Sequence, residues 1–133
     1  TKYTNAAKSY SNVYVNTFLD DMSAAYTAAD LVVSRAGAMS VAEISLTAKP
    51  CVFVPYPFAA EDHQTFNAQK LVKSGAALMV KDAEVQTALM PLLLGTVNDD
   101  VVLQTMQSKI HAFATSDADI QIAEQIIQTY TKH

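Results

Sequence analysis

A single cysteine, Cys51, stands among 133 residues, so no disulfide framework can exist. Its neighbours Val52, Phe53 and Val54 mark it as an inert buried thiol; a reactive nucleophile is the alternative. No apolar run approaches the roughly 20 residues that a membrane-spanning helix needs. No signal peptide is visible, which favours a cytoplasmic setting. Lys and Arg total 9 against 13 Asp and Glu, a net charge of −4, and the cations are scattered. Without a basic stripe, nucleic acid is excluded as a partner. The metal-ligand spacings HxH, HxxxH and CxxC are absent, which argues against a metal site, and His111 and His133 read as surface residues. There is no internal repeat, low-complexity segment or second domain. An initiator methionine is missing as well. The chain starts at Thr1, in a polar stretch to Asn12 that suits a loop, and is expected to be a piece of a longer protein.

What is present is an α/β pattern. Half of the residues are apolar, enough for one domain with a sizeable core. Short apolar runs alternate with helical periodicity, the mark of βαβ units and a parallel sheet. Strands are predicted at Val13 to Val15, Leu31 to Ser34, Cys51 to Pro55 and Ala77 to Val80. Helices are predicted at Asp21 to Ala29, Met39 to Thr47 and Gln64 to Ser74, the last ending at Gly75 as a C′ residue. From Glu84 the chain turns helical: Glu84 to Leu94, Asp99 to Ala114, and Asp117 to Tyr130 behind a Ser116–Asp119 capping box. Pro91 should kink the first of these or mark a late start. Val85, Leu89, Leu92, Leu93 and Leu94 fit core packing better than a lipid-facing patch. A parallel sheet gathers its ligands at the carboxyl ends of its strands. Three loops leave such ends: Asn16 to Asp20, Ser34 to Ala38, and Tyr56 to His63.

The residues able to do chemistry sit in those loops. Ser34 to Glu43 reads as strand end, small-residue turn and helix N-terminus, whose unpaired N–H groups and partial positive charge suit a phosphate. Gly37 and Ala38 allow close approach, Ser40 adds a hydroxyl, and Glu43, one turn on, could accept from the two hydroxyls of a ribose. Together they point to a nucleotide-diphosphate site held by helix backbone rather than by metal. Ser40-x-x-Glu43 is also a capping box with Ser40 as N-cap, and the two readings differ in where the Glu43 carboxylate points. Arg35 could neutralise phosphate or pair with an acid. The loop from Pro55 to Gln64 is long for a βα connection and stiffened by two prolines. Asp62 is a candidate N-cap there and His63 a candidate base. Gln64 and Asn67 share a face, where their amides could serve sugar hydroxyls or lie in solvent.

At these motifs the chain closely resembles the C-terminal domain of the MurG-type glycosyltransferases, the UDP-N-acetylglucosamine–N-acetylmuramyl-(pentapeptide) pyrophosphoryl-undecaprenol N-acetylglucosamine transferases. The likeness runs from about Val13 to Tyr130. It includes Phe18-Leu19-Asp20-Asp21-Met22, Ala24 to Asp30, Ser34 to Glu43, Glu61 to Ala68, and Gly75-Ala76-Ala77. The resemblance implies a Rossmann-like parallel sheet with flanking helices, the C-terminal half of a GT-B glycosyltransferase. In that case residues 1–133 form a UDP-sugar-binding domain that lacks the N-terminal, lipid-acceptor domain. It implies that the Leu19 backbone bonds uracil, that Ala38, Met39 and Ser40 face the diphosphate and sugar, and that Glu43 binds ribose. Gln64, with His63 beside it, would contact N-acetylglucosamine, while Arg35 and Gly37 shape the turn. The implied reaction is an inverting, metal-independent transfer from UDP-N-acetylglucosamine, turning lipid I into lipid II on the cytoplasmic face of the bacterial inner membrane. No catalytic base is identified in this chain, and it should be inactive alone. A related glycolipid glycosyltransferase, the small subunit of a split enzyme and a non-catalytic nucleotide-binding module are the alternatives. Ser40 stands where the family commonly has Thr. Ala48 stands where Gly is usual, at a helix end that favours positive φ.

Overall fold

The computed structural model describes residues 2–58 and 63–116, with 125, 128 and 129. Its centre is a parallel sheet of β1 (Val32–Ser34), β2 (Cys51–Phe53) and β3 (Leu78–Met79), in that spatial order. Val32, Val33 and Ser34 face Cys51, Val52 and Phe53 across the first pair, and Val52 and Phe53 face Leu78 and Met79 across the second. Single hydrogen bonds lengthen both ladders, from Val54 N–H to Ser34 at 2.8 Å and from Val80 N–H to Phe53 at 2.9 Å.

The apolar run at residues 51–54 is the buried kind that a parallel sheet requires on its middle strand. Its side chains alternate. Cys51 and Phe53 join Tyr26, Ala36, Val41, Ile44, Ala68, Leu71, Ala76, Ala77 and Ile110 on one face. Val52 and Val54 meet Val80 on the other, backed by Val85, Ala88, Leu89, Leu92 and Leu93. Those last residues therefore pack in the core, as their spacing suggests; only Leu94 of the set stays exposed.

Helices α3 (Ala38–Leu46) and α4 (His63–Lys73) follow β1 and β2, and α6 (Asp100–Ser116) packs against α3. Helix α2 (Met22–Ala28) precedes β1. Asp21 caps it by accepting from Ala24 N–H at 2.9 Å, and the Lys49 ammonium donates to the Ala29 carbonyl at its far end. Asp99 caps α6 through Val102 N–H in the same way.

Three expectations of secondary structure fail. Val13 to Val15 forms no strand and is exposed: Val and Tyr favour strands, but a strand needs a ladder partner, and none pairs with this segment among the described residues. The polar start is not all loop, because Lys2–Ala7 forms a short helix, α1, that buries no residue. Glu84 to Leu94 is not one regular helix. A 3-10 turn (Asp82–Glu84) and a π turn (Val85–Leu89) lead into α5 (Met90–Val97), with Pro91 in its first turn, where a missing N–H does no harm. Helix α6 runs through Ser116; the capping box with Asp119 and most of the helix predicted at Asp117 to Tyr130 lie outside the described residues, of which 125, 128 and 129 are helical.

Both βα helices end in the same motif. After α4, Gly75 takes φ 77°, with Gly75 N–H bonded to Val72 and Ala76 N–H to Leu71. After α3, Ala48 occupies the equivalent place at φ 53°, with Ala48 N–H on Ser45 and Lys49 N–H on Ile44. A β-carbon in this region is strained by about 1 kcal/mol. Ala48→Gly is therefore expected to stabilise the fold by up to about 1 kcal/mol and raise the melting temperature by roughly 4 °C. A calorimetric scan checks this, and an unchanged or lower Tm would contradict it.

Candidate functional site

The carboxyl ends of β1 and β2 bring most of the sequence-selected residues together. Helix α3 starts one turn earlier than a capping box would have it. Gly37 is the N-cap (φ −64°, ψ 152°) and provides no side-chain hydrogen bond, so Ser40 is the third helical residue. The capping-box reading of Ser40 and Glu43 is thereby corrected. The Glu43 carboxylate instead accepts the Tyr26 hydroxyl, Oη to Oε2 at 3.2 Å. The first turn keeps backbone N–H groups that no cap satisfies, at the positive end of the helix dipole. Ala38 and Met39 there are exposed, and Ser40 is partly buried.

The turn that aims this terminus is held by α4. Ala36, fully buried, gives its N–H to Gln64 Oε1 at 3.2 Å and receives Asn67 Nδ2 on its carbonyl at 3.2 Å. Gln64 Oε1 accepts a second donor, Tyr56 N–H at 2.8 Å. The shared face of Gln64 and Asn67 is thus turned onto backbone and not simply to solvent. Gln64 Nε2 lies 3.8 Å from where a β-carbon on Gly37 would be, beside the α3 N-terminus. His63, exposed, begins α4; Glu61 and Asp62, with its expected cap, lie outside the described residues.

Arg35 pairs with an acid. Its Nη1 meets Asp82 Oδ1 at 2.6 Å and the carbonyls of Val54 and Pro55 at 3.3 and 3.4 Å. The guanidinium also lies 5.7 Å from the centre of the Tyr56 ring. It thereby ties the segments that leave all three strands. At 51% side-chain exposure this pair contributes little to stability, but it fixes loop geometry. Leu19, 38% exposed, lies two residues before the cap of α2. Its link to the group is α2 itself, which carries Tyr26 to Glu43.

Sequence reasoning missed Tyr26 and Asp82 as partners of site residues. Tyr26 had a signal, the single aromatic side chain in a short helix of mostly small residues; Asp82 had none. Among the described residues, no three His, Cys, Asp or Glu side chains converge on a common point. An open groove of about 240 Å³, lined by Ala29, Asp30, Lys49, Pro50, Asp100 and Leu103, lies at the opposite, amino end of the strands.

Two buried groups hold their protons. Burial, then the charge of Glu43, pushes the Tyr26 phenol up to about 12 from 10.0. Burial alone pushes the Cys51 thiol up to about 12 from 9.0. Both folded values exceed the unfolded ones, so each contributes stability that is complete below the unfolded pKa and lost as pH rises through the folded one. The titration of Cys51 and Tyr26 should thus leave stability constant below pH 9 and lower it between pH 9 and 12. Cys51→Ala should remove the part that begins near pH 9. Denaturant midpoints across that range test it; a flat profile in the parent chain would refute it.

The family model of the glycosyltransferase family 28 C-terminal domain matches residues 1–122. A UDP-N-acetylglucosamine–N-acetylmuramyl-(pentapeptide) pyrophosphoryl-undecaprenol N-acetylglucosamine transferase of Bacteroides thetaiotaomicron is 47% identical over 128 residues, 96% of this chain and 34% of that protein. An identically named protein of Chlorobium limicola is 40% identical over 117 residues, 87% of this chain and 32% of the other. The crystal structure of Acinetobacter baumannii MurG superposes with a TM-score of 0.76 at 31% identity, over 96% of this chain and 40% of that one. The chain thus spans about a third of the length of the curated relatives it matches.

Proposed function

The chain belongs to the glycosyltransferase family 28 C-terminal domain family, and from that premise we propose that it is the donor-binding part of a longer transferase. Residues 1–133 would form the UDP-sugar domain of a two-domain enzyme whose other half holds the acceptor. The donor is UDP-N-acetylglucosamine and the acceptor undecaprenyl-pyrophosphoryl-N-acetylmuramyl-pentapeptide, the compounds in the relatives' names. The observation that carries this reading is the uncapped N-terminus of α3, with a carboxylate at Glu43 turned aside from the backbone.

Each residue then has a task. The α3 terminus at Ala38, Met39 and Ser40 receives the diphosphate, with Gly37 leaving room for it. Glu43 accepts the ribose hydroxyls, and the Leu19 backbone bonds the uracil. Gln64, His63 and Asn67 meet the sugar, and Arg35 braces the loops. The 4-hydroxyl of the acceptor sugar attacks the anomeric carbon and UDP departs with inversion. Charge gathers on the leaving diphosphate, where fixed N–H dipoles stabilise it without a metal. The nucleotide contacts anchor the donor so that the reacting atoms meet in line. The base comes from the acceptor half, which leaves this polypeptide without turnover of its own. No helix among the described residues is long and apolar enough to cross a membrane. We place the transferase's work on a lipid acceptor at the cytoplasmic face of the inner membrane, by peripheral attachment.

Calorimetric titration of the chain with UDP-N-acetylglucosamine, in EDTA and beside UDP, tests the reading. Saturable binding of both without metal is the expected result. Binding of neither would overturn it.

A further inference from the structure

We propose that Tyr26 is the positioning residue for Glu43, holding its carboxylate in the orientation that accepts ribose hydroxyls; this rests on the donor-site reading above. The Tyr26 hydroxyl donates to Glu43 Oε2 at 3.2 Å, across two helices and seventeen positions of chain. Its ring is 9% exposed and packed in the cluster with Ala36, Val41, Ile44 and Cys51. The helix that carries it is fixed at both ends. Asp21 caps the start, while Ala29 N–H bonds the Ala25 and Tyr26 carbonyls and the Lys49 ammonium bonds that of Ala29. The hydroxyl is therefore a stationary donor.

Glu43 would otherwise be adjustable. It lies on α3 between the buried Ala42 and Ile44, and its own side chain is only partly buried, with three rotatable bonds. A carboxylate has about four acceptor positions. One bond from a fixed phenol uses one of them, sets the plane of the group and leaves both oxygens able to accept a vicinal diol. Because the phenol titrates only near pH 12, it donates throughout the neutral range. The pairing spares Glu43 the entropy of being ordered when ligand arrives, which is what preorganisation means for affinity.

Tyr26→Phe keeps the ring in its cluster and deletes only the donor. The parent chain and this variant are titrated with UDP and with 2′,3′-dideoxy-UDP, after thermal melts establish that both are folded. The parent chain is expected to favour UDP, and Tyr26→Phe to lose about tenfold in UDP affinity with its dideoxy-UDP affinity unchanged. An undiminished preference for UDP in Tyr26→Phe would overturn the positioning role. So would an equal loss for both nucleotides, which would mark a structural role alone. A parent chain that binds both nucleotides equally would instead remove the ribose role of Glu43, and the proposal with it.

Discussion

Glu43→Ala is expected to weaken UDP binding by about 100-fold while leaving the chain folded. A carboxylate that accepts two hydroxyl donors makes two charge-assisted hydrogen bonds, each worth about 1.5–3 kcal/mol. Some of that is recovered when water reaches the freed hydroxyls, so about 2.7 kcal/mol, or two decades, remains. The stability cost is smaller. Glu43 is partly buried, and its loss strands one phenol proton at Tyr26, worth about 1 kcal/mol. Calorimetry and a melting curve on the same sample separate the two effects. Glu43→Gln keeps an acceptor for Tyr26 and should regain most of the stability without regaining UDP affinity, since the charge and one acceptor oxygen are gone. Unchanged UDP affinity in Glu43→Ala would end the ribose assignment.

The second large effect is expected at Gln64, where two substitutions should part stability from binding. Gln64→Ala removes the oxygen shared by the N–H groups of Ala36 and Tyr56. Tyr56 is exposed and can turn to water, but Ala36 is fully buried and its N–H would be left without an acceptor. That orphaned donor costs about 1–3 kcal/mol, enough to lower Tm by several degrees. Gln64→Glu keeps an oxygen for both donors and adds negative charge beside the positive end of α3, so stability should hold or rise slightly. The same charge takes the place of Nε2 next to Gly37 and repels an arriving diphosphate. UDP affinity should fall about tenfold, less at high salt. A Gln64→Glu chain that binds UDP as well as the parent would mean the diphosphate sits elsewhere.

The sequence carried the βα framework because its signals are local and periodic. The run from Cys51 to Val54 is apolar at every position, and Gly75 stops α4 where a C′ glycine should. Even the strain at Ala48 could be anticipated, since the helix end demands positive φ whichever residue fills it. Two kinds of error remained. Val13 to Val15 has strand composition, but pairing is a property of the neighbours and not of the segment. Ser40 and Glu43 have the spacing of a capping box, but Gly37 opens the helix three residues sooner and makes the match accidental. The contacts that organise the site escaped for a related reason. Tyr26 to Glu43, Asn67 to Ala36 and Arg35 to Asp82 span 17, 31 and 47 positions. No local period encodes such distances, so only the topology of strand ends could hint that these residues meet.

The alternating side chains of β2 have a consequence for how the molecule comes apart. Cys51 and Phe53 root one hydrophobic cluster, Val52 and Val54 the other, so neither cluster can open while the strand stays sealed in its partner. The two layers should behave as a single foldon. In native-state hydrogen exchange, the β2 amides would then exchange only through global unfolding, at one shared free energy. The amides of Val13 to Leu19, exposed and outside the sheet, would exchange through local fluctuations long before. The proposed donor site would then be divided: its diphosphate and sugar residues follow strands of the slow-exchanging layer, while Leu19, its proposed uracil contact, lies in the fast-exchanging segment.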